Sequence, residues 1–516
     1  MAWFGLAQRK KERARASSLV NVVVEPGTIR GVWSSHVKGG FGQLLASSHG
    51  SQATYDLSIP TETIDEFISH SWCRHAAMKG IDPIYGRLKW LSICLHQNGE
   101  AALVASIAAG AALAVAEAVL GWHALPLVSH CWFDGEIRRV SFAPYVVGYV
   151  TFLTVLLFGL NFLPTQWLRS FSLRLLPDRL MFLDKVCIHQ TDPQKNQAGI
   201  RAINEFIRRS KKLLVCDNGG EAAGRHYFER LWCVFELAAF VSKEREAGRD
   251  EVADSIVVLP LLRPVCLLII QLGLVLVHIY DYLVILRAGG DLTCEDSYSF
   301  TVNFFVTCTL TMTIPFWIEL NEMVQKDKLL HELRTFRFED VDCYEASDRE
   351  SIRNAIEEFY KDDKSSSSSP PTQPTTKSGV DRFDEDVQSG RVYRAVEYAM
   401  GKHVGVLARS HIAMACLPNL FRAFAYFPGN IEVQPRLFLF HGVFLVLLFP
   451  AVREGCLQVY RAVLHRNSWK GIHHIHFFLH RTAASIFLST LFSGVYLALC
   501  SPAVYMLGLK SEAKAL

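Results

Sequence analysis

Thirteen cysteines are scattered through the 516 residues, and no two form a CxxC pair. That absence removes the zinc-ribbon and short disulfide-framework readings. Most of these thiols are expected to be reduced or to fill a core. A large net charge is also missing. The formal balance is +3, which gives no reason to expect a nucleic-acid partner. The N-terminal stretch MAWFGLAQRKKERARA lacks the apolar core and cleavage site of a signal peptide. Its Arg9, Lys10, Lys11, Arg13 and Arg15 read as a solvated cytosolic tail, with contact to anionic lipid as the alternative. No internal repeat is present. His189 and the group His473, His474, His476 and His480 have no carboxylates or cysteines at ligand spacing, so no metal site is expected.

What the chain does have is apolar sequence. Half its residues are hydrophobic, and its mean hydropathy is positive, both of which suggest membrane spans. Crossing a bilayer takes roughly 20 apolar residues. The windows 102–121, 142–163, part of 256–286, 299–318, 436–452 and 483–507 qualify. Window 410–427 is marginal because it carries Pro418 and Arg422. Lysines and arginines near span ends stay cytosolic. Lys79, Arg87 and Lys89 precede the first window, and Arg169, Arg174, Arg179 and Lys185 follow the second. Lys243, Arg245 and Arg249 precede the third, and Lys326 and Lys328 follow the fourth. The tip between the third and fourth, AGGDLTCEDSYS, is acidic, whereas Arg138 and Arg139 on the first tip run against the rule. Two hairpins therefore leave the cytosol and return. Seven spans are favoured, because the basic 453–481 loop stays cytosolic only if 410–427 crosses; without that crossing there are six and the loop breaks the rule. Glu117, Arg263 and Asp281 lie close enough to span ends to snorkel. Cys131 and Cys294 fall on the far tips and pair if that compartment is oxidising.

The remainder reads as α/β. TIDEFISHSW (63–72), RLMFLDKVCI (179–188) and KKLLVCDN look like strands, and RTFRFEDVDCY (334–344) alternates like one. HQTDPQKNQAG is expected to be a loop. IRAINEFIRRS places Ile200, Ile203, Phe206 and Ile207 on one helical face. SDRESIRNAIEEFY carries a capping box, Ser347 with Glu350, ahead of Ile352, Ile356 and Phe359. Alternating strands and helices predict a parallel sheet covered on both faces, with ligands at the carboxyl ends of its strands. KSSSSSPPTQPTTKSG (364–379) is a linker composition.

In YFERLWCVFELAAF (227–240), every residue from Leu231 to Phe240 is apolar or aromatic except Glu236. A carboxylate in such surroundings is costly unless paired, hydrogen-bonded or protonated. Trp232 and Cys233 read as core packing.

This order of motifs resembles a Toll/interleukin-1 receptor (TIR) domain. EFISH stands at the opening strand, FLDK at the second, LLVC at the third and LWCVFEL at the WCxxEL helix; IRNAIEEF resembles the last helix. The resemblance implies a flavodoxin-like parallel sheet flanked by helices, here divided by membrane hairpins. It also implies a catalytic role for Glu236 in cleaving NAD between nicotinamide and ribose, with NAD as substrate and no prosthetic group. Ser69, His70, Ser71, Trp72 and Arg74 would contact the nucleotide. Arg74 or His70 would hold pyrophosphate, and Trp72 would stack on a base. Asp184 and Lys185 match the start of the loop that closes the site or meets a neighbouring copy, so a homo-oligomer is implied. The chain departs from the family in its hairpins and in a loop without the usual acidic-Pro-Gly form.

The expected organisation is a cytosolic segment (1–60), TIR-like pieces (61–101, 164–255 and 319–363), transmembrane hairpins (102–163 and 256–318), a linker (364–390) and a C-terminal membrane region (391–516). Three functions are compatible with it. One is a multi-pass membrane NAD hydrolase in signalling. Another is a scaffold in which Glu236 merely packs, bonded to backbone or to Arg230. The third is a channel or transporter with a nucleotide-sensing cytosolic domain.

Overall fold

A computed structural model describes residues 24–47, 49–70, 82–120, 127–131, 137–141, 143–159, 178–216, 227–249, 255–259, 261–287, 294–343, 346–360, 377–401 and 482–491, with 19 and 458. The elements used below are, in chain order, β1 Arg30–Trp33, β2 Ser58–Pro60, β3 Ile64–His70, α1 Asp82–Leu120, β4 Leu127–Cys131, β5 Ile137–Ser141, α2 Ala143–Gly159, β6 Leu180–Phe182, α3 Asp184–Cys187, α4 Pro193–Arg201, α5 Ile203–Arg208, β7 Ser210–Cys216, α6 Leu231–Glu246, β8 Ile256–Val258, α7 Arg263–Arg287, α8 Cys294–Arg334, α9 Ala346–Phe359, α10 Gly379–Ser389 and α11 Arg391–Gly401. The chain forms two compact units. One comprises Met1–Ile93, Leu173–Leu261 and Val324–Val404; the other comprises Cys94–Ser172, Leu262–Met323 and Gly405–Leu516.

The first unit is α/β. Its sheet has six strands in the order β2-β1-β6-β3-β7-β8. β3 is the hub: it pairs in parallel with β6 on one side and, from Ile64↔Ser210 to His70↔Cys216, with β7 on the other. β8 extends the parallel set beside β7. The sheet is mixed, not wholly parallel as expected, because β1 runs antiparallel to both β6 and β2. The core follows from the apolar runs. Phe67 stacks on Phe182 with ring centroids 4.3 Å apart, and Phe182 meets Phe206 of α5 at 4.6 Å.

Several local expectations are overturned. The second strand stops at Phe182, because Leu183 is the extended residue preceding α3. The expected loop contains α4: the Asp192 side chain accepts from the Gln194 and Lys195 amides, and Pro193 occupies the first turn. The helical face of 200–209 is split at Ala202. Segment 334–343, the described part of the expected 334–344, is not a strand. α8 runs on to Arg334, a 3₁₀ turn spans Phe338–Asp340, and pairing is limited to an Arg230↔Asp342 bridge. The further parallel strand is instead β8, from the start of the third apolar run. α9 begins one residue before Ser347, which is therefore inside the helix and not its cap; Ile352, Ile356 and Phe359 are buried as their spacing predicts. The linker reading fails over 379–389. There α10 is capped by Ser378 with Asp381 and buries Val380, Phe383 and Val387. α11, taken as the start of the C-terminal membrane region, belongs to this unit and buries Val392 and Val396.

The second unit contains α2, α7, most of α1, much of α8 and a β4–β5 hairpin that the hydropathy reading did not anticipate. Among the described residues one stretch, Ile84–Ala116, is long and apolar enough to cross a membrane; Val146–Leu157, Arg263–Gly273 and Thr482–Leu491 are shorter apolar helices. That stretch starts well before the expected residue 102. Arg263 opens α7 but is buried at 6 % exposure, so it does not snorkel. Windows 410–427 and 436–452, most of 483–507 and the Cys131 and Cys294 side chains lie outside the described residues.

Phe182 is 1 % exposed between two aromatic partners. Phe182→Ala is expected to lower stability by about 3–5 kcal/mol, read as a lower thermal midpoint of the purified chain. An unchanged midpoint would mean these ring contacts do not hold the sheet together.

Candidate functional site

Parallel pairing brings the carboxyl ends of β3, β6, β7 and β8 to one edge, the edge at which open α/β sheets bind ligands. β3 ends in Ser69 and His70, both buried. Asp184 follows β6, and its side chain is 42 % exposed. α6 packs on α5, on α9 and along β3. Its apolar faces explain that position: Val234, Phe235, Leu237, Ala238 and Phe240 are all buried, and Phe235 meets Phe359 of α9 at 5.9 Å. Glu236 is the polar exception, half-buried on the turn of α6 nearest Ser69.

The Glu236 carboxylate accepts a short hydrogen bond from the Ser69 hydroxyl. Ser69 Oγ lies 2.6 Å from the Tyr227 hydroxyl, and that hydroxyl also reaches the Cys233 carbonyl at 3.3 Å. Burial pushes the Glu236 carboxyl up from 4.5 to about 8; the Ser69 hydrogen bond and Arg230 oppose the rise, and Asp184 adds to it. Protein encloses the carboxyl closely, although the residue as a whole is only half-buried. Tyr227 is raised well above an ordinary phenol by burial and remains protonated. Burial raises the Cys233 thiol to about 12, consistent with packing and not with nucleophilic chemistry.

A second array stands beside the first. Lys89 Nζ lies 3.3 Å from His70 Nδ1. An ammonium only donates, so Nδ1 accepts and the ring proton sits on Nε2, 3.6 Å from Asp184 Oδ1. Burial and the Lys89 charge lower the His70 pKa against the opposing pull of Asp184, so the ring is neutral near pH 7. Together the two arrays offer a carboxyl that changes protonation near neutrality, a neutral imidazole N–H and an open carboxylate. That set can accept a proton and stabilise developing positive charge.

Of the residues selected from sequence, Ser69, His70, Asp184 and Glu236 come together here. Lys185 is turned elsewhere: it is buried and donates to the Ser47 carbonyl at 2.7 Å, with its pKa lowered by burial against the pull of Asp184. Ser71, Trp72 and Arg74 lie outside the described residues. Trp232 donates toward Asp348 at 3.3 Å. His189 is structural, bonded to Gln52 and to the Asp192 amide, and the described residues contain no metal-ligand cluster. Tyr227 and Lys89 were not anticipated. No spacing rule links Tyr227, which precedes α6, to a residue on it. Lys89 read as a charge flanking a span, yet it is 2 % exposed.

Searches of protein-family models, curated proteins and solved structures returned no match to this chain.

Between 4.5 and about 8 the folded chain holds a proton on Glu236 that the unfolded chain has released. Stability therefore falls as pH rises through that window. In Glu236→Gln this loss is removed, so the melting temperature of the variant relative to wild type should climb from about pH 5 to about pH 9. A pH-independent difference would show that Glu236 titrates as an exposed acid.

Proposed function

We propose that the chain is a membrane-anchored, TIR-like signalling protein whose α/β unit cleaves NAD at the nicotinamide–ribose bond, with Glu236 as the catalytic carboxylate. The observation that carries this reading is the enclosed Glu236 carboxyl at the carboxyl edge of β3, bonded to Ser69 and raised by burial, with Asp184 close enough to raise it further. The order of the four parallel strands supports it as well. Numbered by appearance they run 2-1-3-4, the order of flavodoxin-like sheets, which bind a nucleotide beside the first strand.

In the reaction, the C–N bond breaks and nicotinamide leaves with the bonding pair. The ribose carbon becomes oxocarbenium-like, and the Glu236 carboxylate stabilises it. Water adds to that carbon and gives up a proton, which Glu236 takes and passes to solvent. The products are ADP-ribose, nicotinamide and a proton. His70 Nε2–H faces Asp184 and orients that carboxylate beside the site, and self-association through the α/β unit completes the closure of the site. The scaffold reading draws on the same hydrogen bond, since a carboxyl already satisfied by Ser69 suits a packing residue.

Membrane anchoring by several spans is part of the proposal. It is supported by the Ile84–Ala116 stretch and by where large apolar side chains are exposed. Val104, Val150, Leu272, Leu283, Leu310 and Phe487 are all open, and all belong to the second unit. Exposed aliphatic surface on this scale is expected to face lipid or a partner.

Full-length protein in membranes is expected to release nicotinamide from NAD, and both Glu236→Ala and Glu236→Gln should abolish release at matched expression. Equal release from all three would place the chemistry elsewhere, and none from folded wild type would favour the scaffold. The wild-type chain should also stay with the membrane after an alkaline wash. Its appearance in the supernatant would rule out spanning helices.

A further inference from the structure

We propose that Tyr227 and Ser69 are positioning residues that form a reversible hydrogen-bond chain, allowing Glu236 to exist as anion or acid without leaving any member of the chain unsatisfied. The inference rests on the reading of Glu236 as the reacting carboxylate and extends it to how the proton is managed. Three hydroxyl or carboxyl groups and one carbonyl lie in sequence: Glu236, Ser69, Tyr227 and the backbone oxygen of Cys233. With Glu236 ionised, the carboxylate only accepts. Ser69 then donates to it, and Tyr227 donates to Ser69 across 2.6 Å. With Glu236 protonated, every donor can turn round. Glu236 donates to Ser69, Ser69 to the Tyr227 oxygen, and Tyr227 to the Cys233 carbonyl at 3.3 Å.

The balance is complete in both states. Each hydroxyl donates one hydrogen bond in both states, Ser69 also accepts one in both, Tyr227 accepts one only when Glu236 is protonated, and the proton gained by Glu236 is the one that the attacking water loses. Buried polar groups left unmatched are costly, and here neither protonation state leaves one. Tyr227 suits the terminal position because its own proton stays on oxygen throughout. The Cys233 carbonyl suits the end of the chain because it lies on α6, the same helix as Glu236.

Other charges around Glu236 come from three directions. Asp184 follows β6 and Arg230 precedes α6, and these two act on it in opposite senses. His70 at the end of β3 is neutral and tied to Lys89 of α1. The Cys233 thiol, raised by burial, adds no charge near neutrality. None of these groups changes when a hydroxyl is removed from Ser69 or Tyr227, so the chain can be tested on its own.

The test is titration of the Glu236 carboxylic acid in the purified full-length chain. Its infrared carbonyl band is identified by its absence in Glu236→Gln. Ser69→Ala removes the donor to the anion and should raise the apparent pKa by about 1 unit. Tyr227→Phe should raise it by less, because Tyr227 acts only through Ser69. In the double variant, Tyr227→Phe should add nothing to Ser69→Ala, the coupling expected of residues in one chain. Wherever nicotinamide release is measurable, the acid limb of its pH profile should move by the same amounts. Additive shifts, or an unmoved titration in Tyr227→Phe, would overturn the chain. A coupled titration without nicotinamide release would leave the chain standing and refute the NAD reading. Tyr227→Phe deletes one buried oxygen from a ring that is otherwise retained, so it reports even where Ser69→Ala folds poorly.

Discussion

The α/β unit depends on the parallel register of β3 between β6 and β7. That register places Ser69 and His70 at the carboxyl edge, next to Asp184 and under α6. One hydrogen bond, from Ser69 to Glu236, joins the strand to the helix there. Without it, the acid on an otherwise apolar helix segment would be enclosed with no partner, a state that costs more than the net worth of one ordinary hydrogen bond. The same bond orients a carboxyl whose proton affinity burial has already brought close to neutral pH.

The two arrays at this edge divide the electrostatics. Burial, with the Lys89 charge, holds His70 neutral, and Lys89 fixes which nitrogen carries the proton, so the ring faces Asp184 as a donor. Tyr227 and Ser69 serve Glu236 and add no charge of their own. This edge therefore carries one exposed carboxylate and one carboxyl able to ionise, while the nearby Cys233 stays protonated and is unsuited to a nucleophilic thiol mechanism.

The second unit follows a different rule. Its interior is apolar, with Phe152, Leu156, Cys266 and Ile318 in one cluster, yet its helices also carry large aliphatic side chains outward. A helix apolar on both its inner and outer faces has low amphipathicity, which is what a lipid-facing bundle requires. Arg263, Gln271 and Glu319 of this unit are nonetheless buried.

The sequence by itself determined the α/β class of the first unit, the core face of α9, and the isolation of one acid at Glu236. Each is a periodicity or a chemical exception within an apolar run, and such patterns survive without knowledge of neighbours. Tertiary structure decided the rest. Segment 334–344 has strand-like alternation, yet the end of α8 and a 3₁₀ turn take up most of it, while the short Ile256–Val258 pairs beside β7. Asp192 with Pro193 made a helix inside what composition read as a loop. Lys185, adjacent to Asp184 in the chain, is drawn off to Ser47. Lys89 and Tyr227, remote from any motif, are folded onto His70 and Ser69. Pairing partners and long-range hydrogen bonds join residues from distant parts of the chain, and no local pattern encodes which of them will meet.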